Sequence, residues 1–177
     1  EQRTDLVSKG RPEKKPDGAI NPGIILSTTF HAPNEVGYGR YGNDTWSAFE
    51  EVLASLEGGV AALLVASGSA ATTYAVLNVA EAGDHIVSSP SLYGGTYNLL
   101  HYTLPKFGIA VKFVDPSNPQ NFANEITDRT KLIYGESIGN PKLDVFPFEP
   151  VAKIAKDHDL PPTMHTDLSV LCRHHTE

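Results

Sequence analysis

Apolar residues fall along this chain in two alternating rhythms, short continuous runs and runs at helical spacing, and the alternation becomes regular from residue 61 onward. Ala61–Ala66 reads as a buried strand and Ser69–Val79 as a helix. Gly83-Asp84 turns the chain into a strand over His85–Ser88, and a helix over about Thr96–Phe107 follows. Val111–Val114 is the next strand, Phe122–Ile126 a short helix, Lys131–Tyr134 a strand, and Pro150–His158 a helix. Upstream the pattern is looser. Residues 1–22 are polar with Pro12, Pro16 and Pro22 and read as an extended arm, and Ile24–Phe30 is an apolar, β-prone extended segment. Gly37–Asn43 holds three glycines in seven residues and reads as a loop with no fixed position of its own. Thr45 is placed to cap a helix carrying Phe49, Val52, Leu53 and Leu56, which Gly58-Gly59 ends.

Strands separated by single helices predict a mostly parallel α/β sheet with helices on both faces. Such sheets bind ligands beyond the carboxyl ends of their strands. Three motifs fall just after predicted strands: Ser67-Gly68-Ser69, Tyr93-Gly-Gly-Thr-Tyr97 and Glu136-Ser-Ile-Gly-Asn-Pro141. They are expected to converge on one edge. There is no internal repeat or low-complexity run.

Composition narrows the picture by exclusion. With 40% hydrophobic and 20% charged residues the chain is ordinary for a globular domain with a sizeable core. A net charge of −7 argues against a nucleic-acid surface, and the basic stretch Lys9–Lys15 is short and interrupted. No apolar run approaches the length of a membrane span, and the N-terminus is polar. The single cysteine, Cys172, leaves no intrachain disulfide, so a cytoplasmic, reducing address is expected.

Each motif has a chemistry and a plainer alternative. Gly68 and Ser69 stand at a helix start, whose free N–H groups and positive dipole end suit a phosphate; small residues there also serve packing alone. Tyr93 on a glycine-rich loop offers a ring to lie on a flat ligand and a phenol to carry a proton, or is a half-buried loop residue. Asn140 before Pro141 offers an amide at a rigid turn, and Glu136 is a site carboxylate or simply solvated. Tyr38-Gly-Arg40 supplies a guanidinium able to clasp phosphate, or a surface arginine. Together they suit a flat, anionic, aromatic cofactor, and pyridoxal phosphate (PLP) has that description.

In order and spacing these motifs resemble the Cys/Met-metabolism family of PLP enzymes, of fold type I, from about Gly18 to Leu160. The pieces that carry the likeness are Tyr38-Gly-Arg-Tyr-Gly-Asn-Asp-Thr45, Ser67-Gly-Ser69, Leu92-Tyr-Gly-Gly-Thr96 and Glu136–Pro141; Gly39 and Asp44 depart from the family's usual residues. The resemblance implies that Tyr38 and Arg40 reach a neighbouring subunit's cofactor phosphate, and that Gly68 and Ser69 hold the subunit's own. It implies Tyr93 stacked on the ring and assisting proton transfer, Asn140 on the ring oxygen, and tetramers of two tight dimers. The implied activity is γ-replacement or γ-elimination on homoserine- or cysteine-derived amino acids. It leans to cystathionine γ-synthase or γ-lyase, with O-acetylhomoserine sulfhydrylase or methionine γ-lyase as alternatives.

Beyond Leu160 the likeness fails. His165 falls where the family places an aspartate against the pyridine nitrogen, and Asp167 is two residues late. None of the nine lysines has the Ser-x-Thr-Lys setting of the family's Schiff-base lysine. The chain is therefore expected to be an inactive, truncated form, or a non-catalytic piece that pairs with full-length subunits. Its expected divisions are an intersubunit arm (1–45), a partial PLP-binding domain (46–160) and a divergent tail (161–177). Cys172-Arg-His-His175 with His165 and Asp167 tempts a metal reading, but the spacing is not that of a ligand set, and no metal is expected.

Overall fold

The computed structural model describes residues 20–31 and 37–160. The polar arm to residue 19, with its basic stretch, and the tail with His165, Asp167 and Cys172 lie outside the described residues. The chain divides into two compact units, 1–64 and 65–177.

In the first unit the main element is helix α1, Asp44–Leu56. Its cap is Asn43 rather than the expected Thr45: the Asn43 side chain accepts the Thr45 N–H at 2.8 Å. Asn43 has the extended backbone a cap requires, whereas Thr45 is already in the first turn. The Thr45 hydroxyl is used elsewhere, accepting the Ile25 N–H at 2.8 Å and donating to the Gly23 carbonyl at 3.3 Å. The segment 24–30 forms no strand; it makes one antiparallel bridge, Thr29 to Tyr38. That bridge corrects the reading of 37–43 as unfixed. Phe30 N–H reaches the Gly37 carbonyl at 3.1 Å and Gly39 N–H the Thr28 carbonyl at 2.7 Å. A Cβ on Gly39 would stand 3.2 Å from the Ser27 carbonyl oxygen, so a glycine suits this close approach.

The predicted strand Ala61–Ala66 is absent. These residues are irregular and largely solvent-facing, with Leu63 75% exposed. Strands exist by pairing, and no ladder partner meets this run among the described residues; the Leu64 N–H is taken instead by the Glu50 carboxylate at 2.7 Å.

The second unit is built on three parallel strands, β1 His85–Ser88, β2 Ala110–Phe113 and β3 Thr130–Tyr134, in the order β2-β1-β3. Ser88 stands opposite Phe113 on one side and Tyr134 on the other. Side chains alternate across a strand, so each strand feeds two cores. Ile86, Leu132 and Tyr134 face one cluster with Val76, Ala80, Leu100 and Leu104. Val87 and Ile133 face the other with Phe122, Phe146, Val151 and Ala155. The first is covered by helix α2, Gly68–Val79, and by the helical run that opens with α3, Gly94–Asn98. The second lies under α4, Gln120–Asn124, and α5, Phe148–Asp157. This is the predicted layered α/β arrangement, with helices on both faces.

The run expected over Thr96–Phe107 starts two residues earlier and changes pitch, passing from α3 into a π turn over Leu99–Thr103 and a tight turn over Leu104–Phe107. Pro105 lacks the N–H that would continue the α ladder, and Gly108 at φ 80° stops the run.

Candidate active site

Because the strands are parallel, the segments after β1 and after β3 leave the sheet at the same end. Two predicted motifs meet there. Tyr93 caps α3, and its N–H donates to Glu136 Oε2 at 2.8 Å. Glu136 is not solvated, as one reading had it; it is 5% exposed, while the Tyr93 side chain next to it is 58% exposed. The Tyr93 ring folds over Gly95, where an added Cβ would come 2.5 Å from Cε1. This explains the glycine at position 95, in a helix that its propensity disfavours.

Asn140 sits exposed in the segment after β3, ahead of a cis bond to Pro141. That segment is closed on itself by an antiparallel bridge between Ile138 and Val145. Gly139 N–H reaches the Asp144 carbonyl at 2.8 Å, and Phe146 N–H the Ser137 carbonyl at 3.1 Å. Ser91, two residues before Tyr93, donates to Asp144 Oδ2 at 3.0 Å. Sequence reasoning missed Asp144, because an aspartate in a proline-bounded turn reads as ordinary turn chemistry.

Ser67 has extended backbone and caps α2, its hydroxyl accepting the Ala70 N–H at 3.2 Å. Gly68 and Ser69 thus occupy the first helical turn, both exposed, where main-chain N–H groups have no intrahelical acceptor. The connection from α2 to the start of β1 is short, so the helix ends beside the strands' amino ends and begins toward their carboxyl ends. α2 also packs against α3, the helix that Tyr93 caps. Tyr38 and Arg40 belong to the first unit, where the Arg40 guanidinium carbon lies 4.9 Å from the Tyr38 ring centre. Among the described residues no group of His, Cys, Asp and Glu is placed to hold a metal, and no helix is long and apolar enough to cross a membrane.

The pattern of the Cys/Met metabolism PLP-dependent enzymes matches residues 3–167. The chain belongs to that family. O-acetyl-L-homoserine sulfhydrylase of Leptospira meyeri is 54% identical to it over 144 residues, which cover 77% of this chain and 33% of that protein. Cystathionine gamma-lyase from Lactobacillus plantarum, solved with L-serine, superposes with a TM-score of 0.83 at 35% identity, over 94% of this chain and 44% of that one. A putative O-acetylhomoserine (thiol)-lyase from Campylobacter jejuni, solved with a pyridoxyl-lysine phosphate, superposes at 0.84 with 28% identity, again over 94% and 44%. The chain therefore spans between a third and a half of the length of these relatives.

The cofactor of the family is PLP, and the residues present fit it. An anionic group suits the exposed start of α2, and a flat ring suits the exposed Tyr93 face. The buried Glu136 is committed to the protein's own backbone at Tyr93.

Proposed function

We propose that the whole protein uses PLP to replace or eliminate the γ substituent of amino acids derived from homoserine or cysteine. Within that class we favour a sulfhydrylase acting on an O-acylated homoserine over the cystathionine γ-synthase or γ-lyase reading. The 54% identity to a named O-acetyl-L-homoserine sulfhydrylase, against 38% to a named cystathionine beta-lyase of Lactococcus lactis, supports that order.

The single observation carrying the cofactor reading is the pairing of an exposed Tyr93 ring with a buried Glu136 that fixes its backbone. The main-chain N–H groups of Gly68 and Ser69 bind the phosphate, aided by the dipole of α2. Tyr93 lies on the pyridine ring and holds a proton at Oη for transfer, while the Asn140 amide donates to the ring oxygen. Tyr38 and Arg40 supply a phosphate contact to a neighbouring subunit. When bound, PLP supplies the electron sink that lets protons leave the α and β carbons. The family's anchoring lysine has no counterpart among the nine lysines here, so the 177-residue polypeptide by itself is proposed to be non-catalytic and to pair with complete subunits in the cytoplasm.

The test is product analysis on the whole protein loaded with PLP. Homocysteine formed from O-acetylhomoserine and sulfide is expected; α-keto acid released from cystathionine alone would return the assignment to the lyases. The 177-residue polypeptide treated with PLP and borohydride should trap no cofactor at a single lysine. Stoichiometric trapping at Lys106, Lys131 or Lys142 would overturn that part.

A further inference from the structure

The segments carrying Tyr93 and Asn140 belong to different strand–helix units, yet they are joined at three points. Glu136 Oε2 accepts the Tyr93 N–H at 2.8 Å. Asp144 Oδ2 accepts the Ser91 hydroxyl at 3.0 Å. Between these bonds Gly139 presses on Ser91, where an added Cβ would come 2.5 Å from the Ser91 Cβ and 2.9 Å from its carbonyl oxygen. No side chain larger than hydrogen fits there without parting the two segments. On its own side, Ser91 is held by the Ser89 hydroxyl, which accepts its N–H at 3.1 Å.

We propose that Glu136 and Asp144 form a two-point clamp that fixes the Tyr93 segment to the Asn140 segment, making both carboxylates positioning residues for the cofactor-facing pair. The proposal rests on the PLP reading given above. A buried carboxylate is a costly way to fill space, and an apolar side chain would stabilise the fold equally well or better. What the carboxylate adds is direction, since a hydrogen bond holds its donor within narrow limits of distance and angle. It is aimed at the backbone of the residue whose ring is exposed to ligand. Asp144, itself exposed, adds a second bond two residues upstream of Tyr93, to the Ser91 hydroxyl rather than to the backbone. With the loop between Ser137 and Phe146 closed on itself, ring and amide sit on one platform, and a displacement of either carries the other with it.

The test uses the whole protein in two states. In the apoprotein, Glu136→Ala should speed amide exchange at Tyr93 about tenfold or more while leaving the amides of β1 unchanged. In the PLP-loaded protein the same variant should alter the circular dichroism of the cofactor band and weaken cofactor binding by about tenfold, a loss typical of one polar contact. Glu136→Gln keeps an acceptor oxygen and should recover part of both. Asp144→Ala should shift both readouts in the same direction by less. In a Tyr93→Ala background, Glu136→Ala should change cofactor binding less than in the wild type, because the ring that the bond positions is gone although the backbone N–H remains. An equal loss in both backgrounds, or unchanged Tyr93 exchange, would overturn the clamp. Should Glu136→Ala fail to fold, unaltered cofactor dichroism in both Glu136→Gln and Asp144→Ala would do the same. A wild-type protein that binds no PLP, yet whose Tyr93 amide responds to these variants, would keep the clamp and remove the PLP reading.

Discussion

The ring of Phe146 lies across Gly135, so close that a Cβ on the glycine would stand 2.3 Å from Cε2. Gly135 follows the last residue of β3 and precedes Glu136, so this contact fixes the corner from which the buried carboxylate departs. Phe146 in turn packs edge-on to Phe122 and Phe148. Gly135→Ala should therefore force the ring out of a filled core and cost about 1–3 kcal/mol, the range for overpacking. Denaturant unfolding measures it. In combination with Phe146→Leu, which frees the space, the double variant should lose less than the sum of the two single losses. Simple additivity would show that the two residues do not share a site.

A second expectation concerns Arg40. Its guanidinium lies over the Tyr38 ring on a loop pinned to residues 28–30, so its position is set before any ligand arrives. Arg40→Ala in the whole protein should leave the fold intact and weaken PLP retention by about one to two decades, the value of a charged hydrogen bond of roughly 1.5–3 kcal/mol. Mixing that variant with a subunit altered at Gly68 should restore part of the activity, since one shared site is then undamaged. No recovery despite proven subunit exchange would place Arg40 in its own subunit's chemistry instead.

The start of β1 predicts a pH response. His85 Nδ1 is 2.9 Å from the Thr130 hydroxyl, which itself accepts the Thr127 N–H at 2.8 Å. Burial holds the His85 pKa below the ordinary imidazole value; Glu125 opposes the shift and Lys112 adds to it. The folded state thus favours the neutral ring. Its contribution is present above about pH 6.5 and is lost as pH falls through the lower, folded value. Urea midpoints should drop between pH 7.5 and pH 5.5, and His85→Asn should flatten that drop. An identical drop in the variant would assign it to other groups.

Leu63, 75% exposed, stands in a run that the sequence marks as strand and that finds no ladder among the described residues, and Val60, 86% exposed, directly precedes it. An apolar segment of this kind seeks a partner. The 177-residue polypeptide alone should self-associate in sedimentation velocity, and Val60→Lys with Leu63→Lys should reduce it. A monomeric wild type with a sharp cooperative melt would contradict this.

That run also shows where sequence reading ends. His85–Ser88 was legible to the residue, because the apolar β-branched pair Ile86-Val87 stands between a Gly-Asp turn and Pro90. The parallel sheet followed from the alternation of elements, and Ile86 and Val87 split between two cores as a period of two requires. Ala61–Ala66 is more continuously apolar, but pairing is decided by neighbours rather than by the run itself. At the site, Tyr93, Glu136 and Asn140 were visible as residue types. The direction of Glu136 was not, because it depends on a donor 43 positions away. The early start of α3 was hidden for a related reason: Gly94-Gly95 signals a loop unless the Tyr93 ring above Gly95 is known.

Ser88 pairs with Tyr134, and five residues beyond the first and two beyond the second, Tyr93 meets Glu136. The backbone of a strand advances about 3.3 Å per residue, while the hydrogen bond tolerates only a few tenths of an ångström. A slip of one residue between β1 and β3 would carry the carboxylate out of reach and turn Ile133 toward the opposite core. The bond between Glu136 and Tyr93 therefore acts as a vernier on the sheet. Only the chain that has zipped its two strands in the correct register can present the tyrosine, and a ligand that recognises the tyrosine selects that register from all others.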